Sequence, residues 1–201
     1  MRPLLKIIAR LKVHIPNILS LLRIPLAFLC IYSIFPFNPK SLTISLSLFM
    51  LASGTDFLDG YLARRWKKES NFGKIIDPIA DKVLILGALF VFTWHGIIPL
   101  ILTLIIAIRE ILLTVIRLML LSKKVVLASI QSGKIKTFSQ VGVLLFIYVV
   151  LIFKFQLTKI ISFNFITNIV LLLILWIVFI TLYSGYEFFI RNKKAISKLS
   201  V

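Results

Sequence analysis

The sequence predicts an all-α integral membrane protein: six transmembrane helices preceded by a short amphipathic surface helix. Three observations predict it. The chain of 201 residues is 60% hydrophobic with a mean hydropathy of +1.04, whereas a soluble domain is nearer half apolar. Its apolar runs recur at the roughly 20 residues that a helix needs to cross a bilayer. Its 24 Lys and Arg, set against 7 Asp and Glu, flank those runs, which fits an anionic membrane surface better than nucleic acid. A chain of this length is expected to form a single membrane domain, residues 1–201.

The elements follow in order. Residues 2–14, RPLLKIIARLKVH, alternate cationic and apolar residues at helical spacing, so residues 1–14 are expected to hold a juxtamembrane amphipathic helix. Pro16 and Asn17 end it. No small-residue cleavage site follows the first apolar run, so a retained helix is expected rather than a signal peptide. Spans are then predicted over about 18–35, 42–64, 75–94, 98–121, 137–153 and 160–189. FPFNPK and HGIIP read as turns, RWKKESNFGK and SKKVVLASIQSGKIK as polar connections. Cys30, the only cysteine, lies in an apolar run, which excludes a disulfide within the chain and a CxxC metal site. Trp66, Trp94 and Tyr186 fall near expected interfaces, and His14 and His95 have no ligand spacing. No Ser/His/Asp arrangement and no internal repeat is evident.

Cations set the orientation. Eighteen Lys and Arg lie in 1–23, 64–74, 123–136 and 191–198, and only Lys40, Lys154 and Lys159 lie on the other side. The positive-inside rule then places both termini and both polar connections in the cytoplasm.

All four aspartates, Asp56, Asp59, Asp77 and Asp81, fall in the stretch GTDFLDGYLARRWKKESNFGKIIDPIADK, at the cytoplasmic ends of two consecutive spans. Asp56 and Asp59 are three apart, and Gly73, Asp77 and Asp81 step by four, so each set shares a helix face. Gly60 and Ala63 lie on the first of these faces, where small residues admit another helix or a phosphate. Consecutive antiparallel spans would bring both pairs to one membrane depth. Four converging carboxylates repel one another unless cations join them, and hard oxygens suit Mg²⁺ or Mn²⁺. Structural caps and a proton or ion relay are the rival readings. A cap explains Asp77 near a helix start, but not Asp56 and Asp59 near a helix C-terminus, where the dipole disfavours anions.

A second polar group lies in the fourth span, IAIREILLTVIRLM. Arg109 is about 18 Å from either end of that helix and needs a partner or a wet cavity. Glu110 and Arg117 share a face, and Lys134 and Lys136 open the fifth span. Arg109, Arg117 and Lys134 are the expected contacts for a phosphate-bearing substrate. Lys136 reads more as a helix anchor, and Lys123 and Lys124 as positive-inside charges. The alternative is a structural Arg109–Glu110 network.

The run Asp56-x-x-Asp59-Gly60-x-x-Ala63-Arg64-(x8)-Gly73-(x3)-Asp77-(x3)-Asp81 resembles the signature of the CDP-alcohol phosphatidyltransferase family, eight matched positions within 26 residues. The family's six-span layout also matches, so the resemblance covers essentially the whole chain. It implies transfer of a phosphatidyl group from CDP-diacylglycerol to an alcohol with release of CMP. It implies two metal ions, Mg²⁺ or Mn²⁺, on Asp56, Asp59, Asp77 and Asp81, with Asp81 also the general base. Asp56, Gly60, Arg64 and Gly73 would bind the CDP-lipid. IPNILSLLRIPL, IREI and GKIKT extend the resemblance to members whose acceptor is sn-glycerol 3-phosphate and whose product is phosphatidylglycerophosphate. The residues alone support only a phosphorylated acceptor. Serine, inositol phosphate and phosphatidylglycerol are the rival acceptors. A metal-dependent intramembrane prenyltransferase and an ion transporter are the rivals outside the family. The resemblance further implies a homodimer in a bacterial-type inner membrane, and a cytoplasm-facing cavity ringed by spans two to five is expected.

Overall fold

The computed structural model describes residues 21–66, 73–123, 131–157 and 163–197. Their regular structure is helical: α1 (Leu21–Ile34), α2 (Pro39–Trp66), α3 (Gly73–Trp94), α4 (Leu100–Ser122), α5 (Gln131–Leu157), α6 (Phe163–Arg191) and the short α7 (Lys193–Ile196). Within the described residues each predicted span overlaps one of α1 to α6. The predicted surface helix over 2–14, residues 67–72 of the polar connection RWKKESNFGK and residues 124–130 of SKKVVLASIQSGKIK lie outside the described residues. Gln131–Phe153 in α5 and Phe165–Arg191 in α6 are long and apolar enough to cross a membrane.

Local chemistry sets the helix ends. Asn38 caps α2: its Oδ1 accepts the Ser41 amide at 2.9 Å while Ser41 Oγ accepts the Asn38 amide at 3.2 Å. Pro39 takes the first helical position, where its missing N–H is no loss. At the end of α3 the chain turns through Gly96 at φ 72°. The Gly96 amide bonds Thr93 O at 2.9 Å and the Ile97 amide bonds Phe92 O at 2.9 Å, which satisfies the last carbonyls. His95 in this turn has its pKa lowered by partial burial, which favours the neutral ring.

Three helices, α2, α3 and α5, begin earlier than hydropathy predicts. α2 starts at Pro39 because of the Asn38 cap, and α5 starts at Gln131 rather than Thr137. The first turns of α5 are polar, but Ser132 and Lys136 are buried within them, and Lys136 is neutralised by Glu110. Hydropathy counts that lysine as a reason to stop, whereas the ion pair removes the reason.

The chain forms two compact units that divide within α3, Met1–Ala88 and Leu89–Val201. In the first, Arg23, Ala27, Cys30 and Ile34 form the buried stripe of α1, and Leu42, Ser45, Phe49 and Ala52 that of α2. Ser45 Oγ donates to Cys30 O at 2.8 Å, a close approach that small side chains permit. Gly87 of α3 faces Ile31: a Cβ there would lie 2.8 Å from Ile31 Cγ1. In the second unit α6 packs on α4 and α5, and Phe92 meets Tyr148 edge-on at 5.0 Å.

Both units bury polar groups and expose apolar ones. Arg23, Ser45, Thr103, Glu110, Lys136, Gln140, Thr181 and Ser184 are buried, while Phe28, Leu104, Ile108, Leu172 and Phe179 are exposed. Water would penalise such a surface and lipid would not.

Candidate active site

Asp56 and Asp59 lie on α2, and Gly73, Asp77 and Asp81 on α3, both unbroken helices. Unbroken helix at these spacings puts each set on one face. Gly60 and Arg64 lie on α2 with the first pair. The side chains of Asp56, Asp59, Arg64 and Asp77 lie outside the described residues. Asp81 is described: its side chain is 24% exposed, and its Oδ2 accepts from Lys82 Nζ at 2.9 Å. By residue type the four present only hard carboxylate oxygens, with no thiolate or imidazole beside them in the sequence. That donor set fits a hard divalent cation.

The second unit holds a buried polar cluster. Glu110 on α4 is 2% exposed. Its Oε1 accepts from Arg109 Nη1 at 3.0 Å, from Lys136 Nζ on α5 at 2.5 Å and from Gln140 Nε2 at 3.5 Å. Arg109 Nη2 also donates to Ser184 Oγ on α6. Gly185 leaves the room for this, because a Cβ there would stand 3.1 Å from Arg109 Nε. Arg117 lies over the Phe188 ring, 5.7 Å from its centroid. Lys134 is exposed on the first turn of α5, and Lys136 is buried.

Of the residues expected to hold a phosphate, Arg109 therefore sits in the cluster, Arg117 stacks on Phe188 and Lys134 faces outward. Lys136, read from sequence as an anchor, is a member of the cluster. Gln140, Ser184 and Gly185 were not singled out by sequence reasoning. The available signal was weak: polar or small residues interrupting long apolar runs at QVG and YSGYE. Arg23, an arginine with no exposure in α1, was likewise passed over. A cavity of about 140 Å³ between the Gly96–Ile97 turn, α5 and α6 is lined by residues such as Ile147, Val150 and Ile166. Its lining has no titratable group and is unsuited to the chemistry.

Carboxylates on two consecutive helices of a largely apolar, helical chain define a class, the helical proteins with an acidic site suited to a hard divalent cation. The particular family follows from comparison. Residues 13–183 match the model of CDP-alcohol phosphatidyltransferase, and the chain belongs to that family. It is 37% identical over 150 residues to the CDP-diacylglycerol–glycerol-3-phosphate 3-phosphatidyltransferase of Bacillus subtilis (strain 168), covering 74% of this chain and 73% of that protein. The protein of the same name from Rickettsia felis is 34% identical over 186 residues, 92% of this chain and 98% of its own length. A cardiolipin synthase (CMP-forming) from Streptomyces coelicolor is 42% identical over 104 residues, 50% of this chain and 48% of that protein.

Proposed function

We propose that this protein transfers the phosphatidyl group of CDP-diacylglycerol to sn-glycerol 3-phosphate, giving phosphatidylglycerophosphate and CMP. The reaction class rests on the family. The acceptor rests on the similarity, nearly full-length, to a relative named for it. The structural observation that carries the acceptor is the buried cluster of Arg109 and Lys136 about one carboxylate. A phosphorylated alcohol needs such cations, whereas serine does not.

The chemistry assigned to the residues is as follows. The acceptor's primary hydroxyl attacks the phosphorus that bears diacylglycerol, and the bond from that phosphorus to the CMP oxygen breaks. Asp81 takes the hydroxyl proton on a carboxylate oxygen. Asp56, Asp59, Asp77 and Asp81 would hold Mg²⁺ or Mn²⁺, which when bound offset the charge of the pyrophosphate and of the departing CMP. Arg64 pairs with a donor phosphate, and Gly60 and Gly73 leave space for the nucleotide. Arg109, Arg117 and Lys134 orient the acceptor phosphate, so that binding energy becomes positioning. No serine, cysteine or histidine is arranged as a nucleophile in the sequence, which favours direct attack over a phosphatidyl-enzyme.

In the same reading α1 to α6 are six membrane spans and residues 1–14 a surface helix. The protein lies in the inner membrane of a bacterial-type cell with both termini and the aspartates cytoplasmic. The donor keeps its acyl chains in the bilayer while its head group meets the aspartates. A homodimer follows from the resemblance. The similarity to a cardiolipin synthase over half the chain supports one second reading, phosphatidylglycerol as acceptor.

The test is CMP release from CDP-diacylglycerol by purified protein in detergent with Mg²⁺ or Mn²⁺, with each acceptor offered singly. Release with glycerol 3-phosphate alone is the expected result. Release with phosphatidylglycerol, serine or inositol phosphate instead would keep the aspartate chemistry and reassign the acceptor. No release with any of them, from folded protein, would overturn the transferase reading.

A further inference from the structure

Between residues 89 and 201 the chain has only two acidic residues, Glu110 and Glu187. Glu187 pairs with Arg191 at 2.7 Å along α6, and the side chain of Arg191 is 56% exposed. Glu110 is therefore the one buried carboxylate that this stretch of sequence supplies. It meets two cations rather than one. Arg109 and Lys136 come from different helices, and their side chains are 13% and 5% exposed. A buried pair made for stability alone needs one cation per anion, because each further buried charge carries a large desolvation cost. Arg109 and Lys136 on Glu110 make a cluster of two cationic side chains and one anionic side chain, a composition that suits an anionic ligand.

The geometry at Oε1 says more. Three donors from two helices converge on this single oxygen: the guanidinium of Arg109 and, from α5, the ammonium of Lys136 and the amide of Gln140. Arginine and lysine have long stems with many rotamers, and fixing them costs entropy. A carboxylate held on α4 fixes both at once. The other terminal nitrogen of Arg109 is held by Ser184 on α6, beside the gap left by Gly185. Arg109 thus has a set direction before any ligand arrives.

We infer that Glu110 is the positioning residue of the acceptor site: it aligns Arg109 and Lys136 for the acceptor's phosphate and does not itself touch substrate. Gly185 serves the same end by letting the guanidinium lie against α6. The inference rests on the acceptor reading given above and adds to it the group that pre-orders the cations. It also moves weight from Lys134, which is exposed, to Lys136.

The test uses the full-length protein in detergent with CDP-diacylglycerol, Mg²⁺ and glycerol 3-phosphate, reading KM for each substrate apart from kcat. Glu110→Gln is nearly isosteric but uncharged. It is expected to raise the acceptor KM roughly tenfold, the loss of one well-aligned charge-assisted hydrogen bond. The donor KM is expected to stay within about twofold, a difference that surface changes give by chance. A fall in acceptor KM would show that Glu110 competes with the phosphate for the cations and would overturn the inference. Because Glu110→Gln can fail to fold, Gly185→Ala is measured beside it. Its added methyl meets Arg109 first, and it is expected to raise the acceptor KM in the wild-type background but not in an Arg109→Lys background. An acceptor KM unchanged in Gly185→Ala, and in Glu110→Gln where it folds, overturns the positioning role while Arg109→Lys still raises it. If Arg109→Lys also leaves the acceptor KM unchanged, the acceptor reading itself fails.

Discussion

Asp81 is held lightly. Its partner Lys82 is the next residue along the helix, and both side chains are partly exposed. A pair of this kind contributes about 0–1 kcal/mol. Such a carboxylate can accept a proton without dismantling the fold. Asp81→Asn keeps the shape and loses the basicity, so turnover is expected to fall by roughly 10²–10⁴-fold. The thermal midpoint in detergent should stay where it was. Wild-type turnover in that variant would remove Asp81 as the base. Lys134 makes a gentler case. It is exposed on α5, so Lys134→Ala is expected to raise the acceptor KM by roughly threefold, as the loss of a solvated charge contact does. An unchanged KM would place Lys134 outside the acceptor's contacts. At this scale the sequence was most legible where chemistry is scarce. Four aspartates among seven acidic residues can hardly be overlooked. Glu110 was visible beside Arg109, but its reach to Lys136 was not, because 26 residues separate them and only the fold brings their side chains together. Ser184 and Gly185 carry no charge and left almost no signal.

Glycines at one turn and one helix contact set how the elements meet. Gly96 ends α3 in the left-handed region at φ 72°. A side chain there costs about 1–2 kcal/mol, because its Cβ crowds the following carbonyl. Gly96→Val is therefore expected to lower the thermal midpoint while leaving both KM values alone, since nothing in the proposed chemistry involves that turn. Gly87 is different. Its backbone conformation is ordinary, but the space is taken by Ile31 of α1. Gly87→Val forces that pair apart and is expected to destabilise by about 1–3 kcal/mol, as overpacking does. Gly87→Val with Ile31→Ala should recover much of the loss, and failure to recover would mean that the contact with Ile31 is not what limits the site. Helix positions were readable from apolar runs, and the HGIIP turn from its glycine and proline. Helix ends were less so. The start of α5 depends on an ion pair with another helix, and a window of hydropathy does not contain its partner.

The arrangement of charge along the whole chain carries the last prediction. α2, α3 and α4 have 28, 22 and 23 residues, or about 42, 33 and 34 Å at helical rise. Each is long enough for a hydrocarbon core of about 30 Å. Each also carries charged residues. The aspartates lie in the last turns of α2 and the first turns of α3, and Glu110 of α4 is turned inward. Six crossings with the cations at alternate ends then require Lys40 on one side and Lys123 and Lys193 on the other. All three are exposed. The single native cysteine, Cys30, has no exposure and does not compete with an introduced one. Lys40→Cys, Lys123→Cys and Lys193→Cys can therefore be read with a membrane-impermeant maleimide on intact cells. Lys40→Cys is expected to label at once, and the other two only after the membrane is opened. The reverse pattern would invert the orientation and put the aspartates on the wrong face for a cytoplasmic acceptor. Labelling of Lys123→Cys and Lys193→Cys from opposite faces would mean that an odd number of crossings separates them, and the six-span reading would fall while the helices themselves remained.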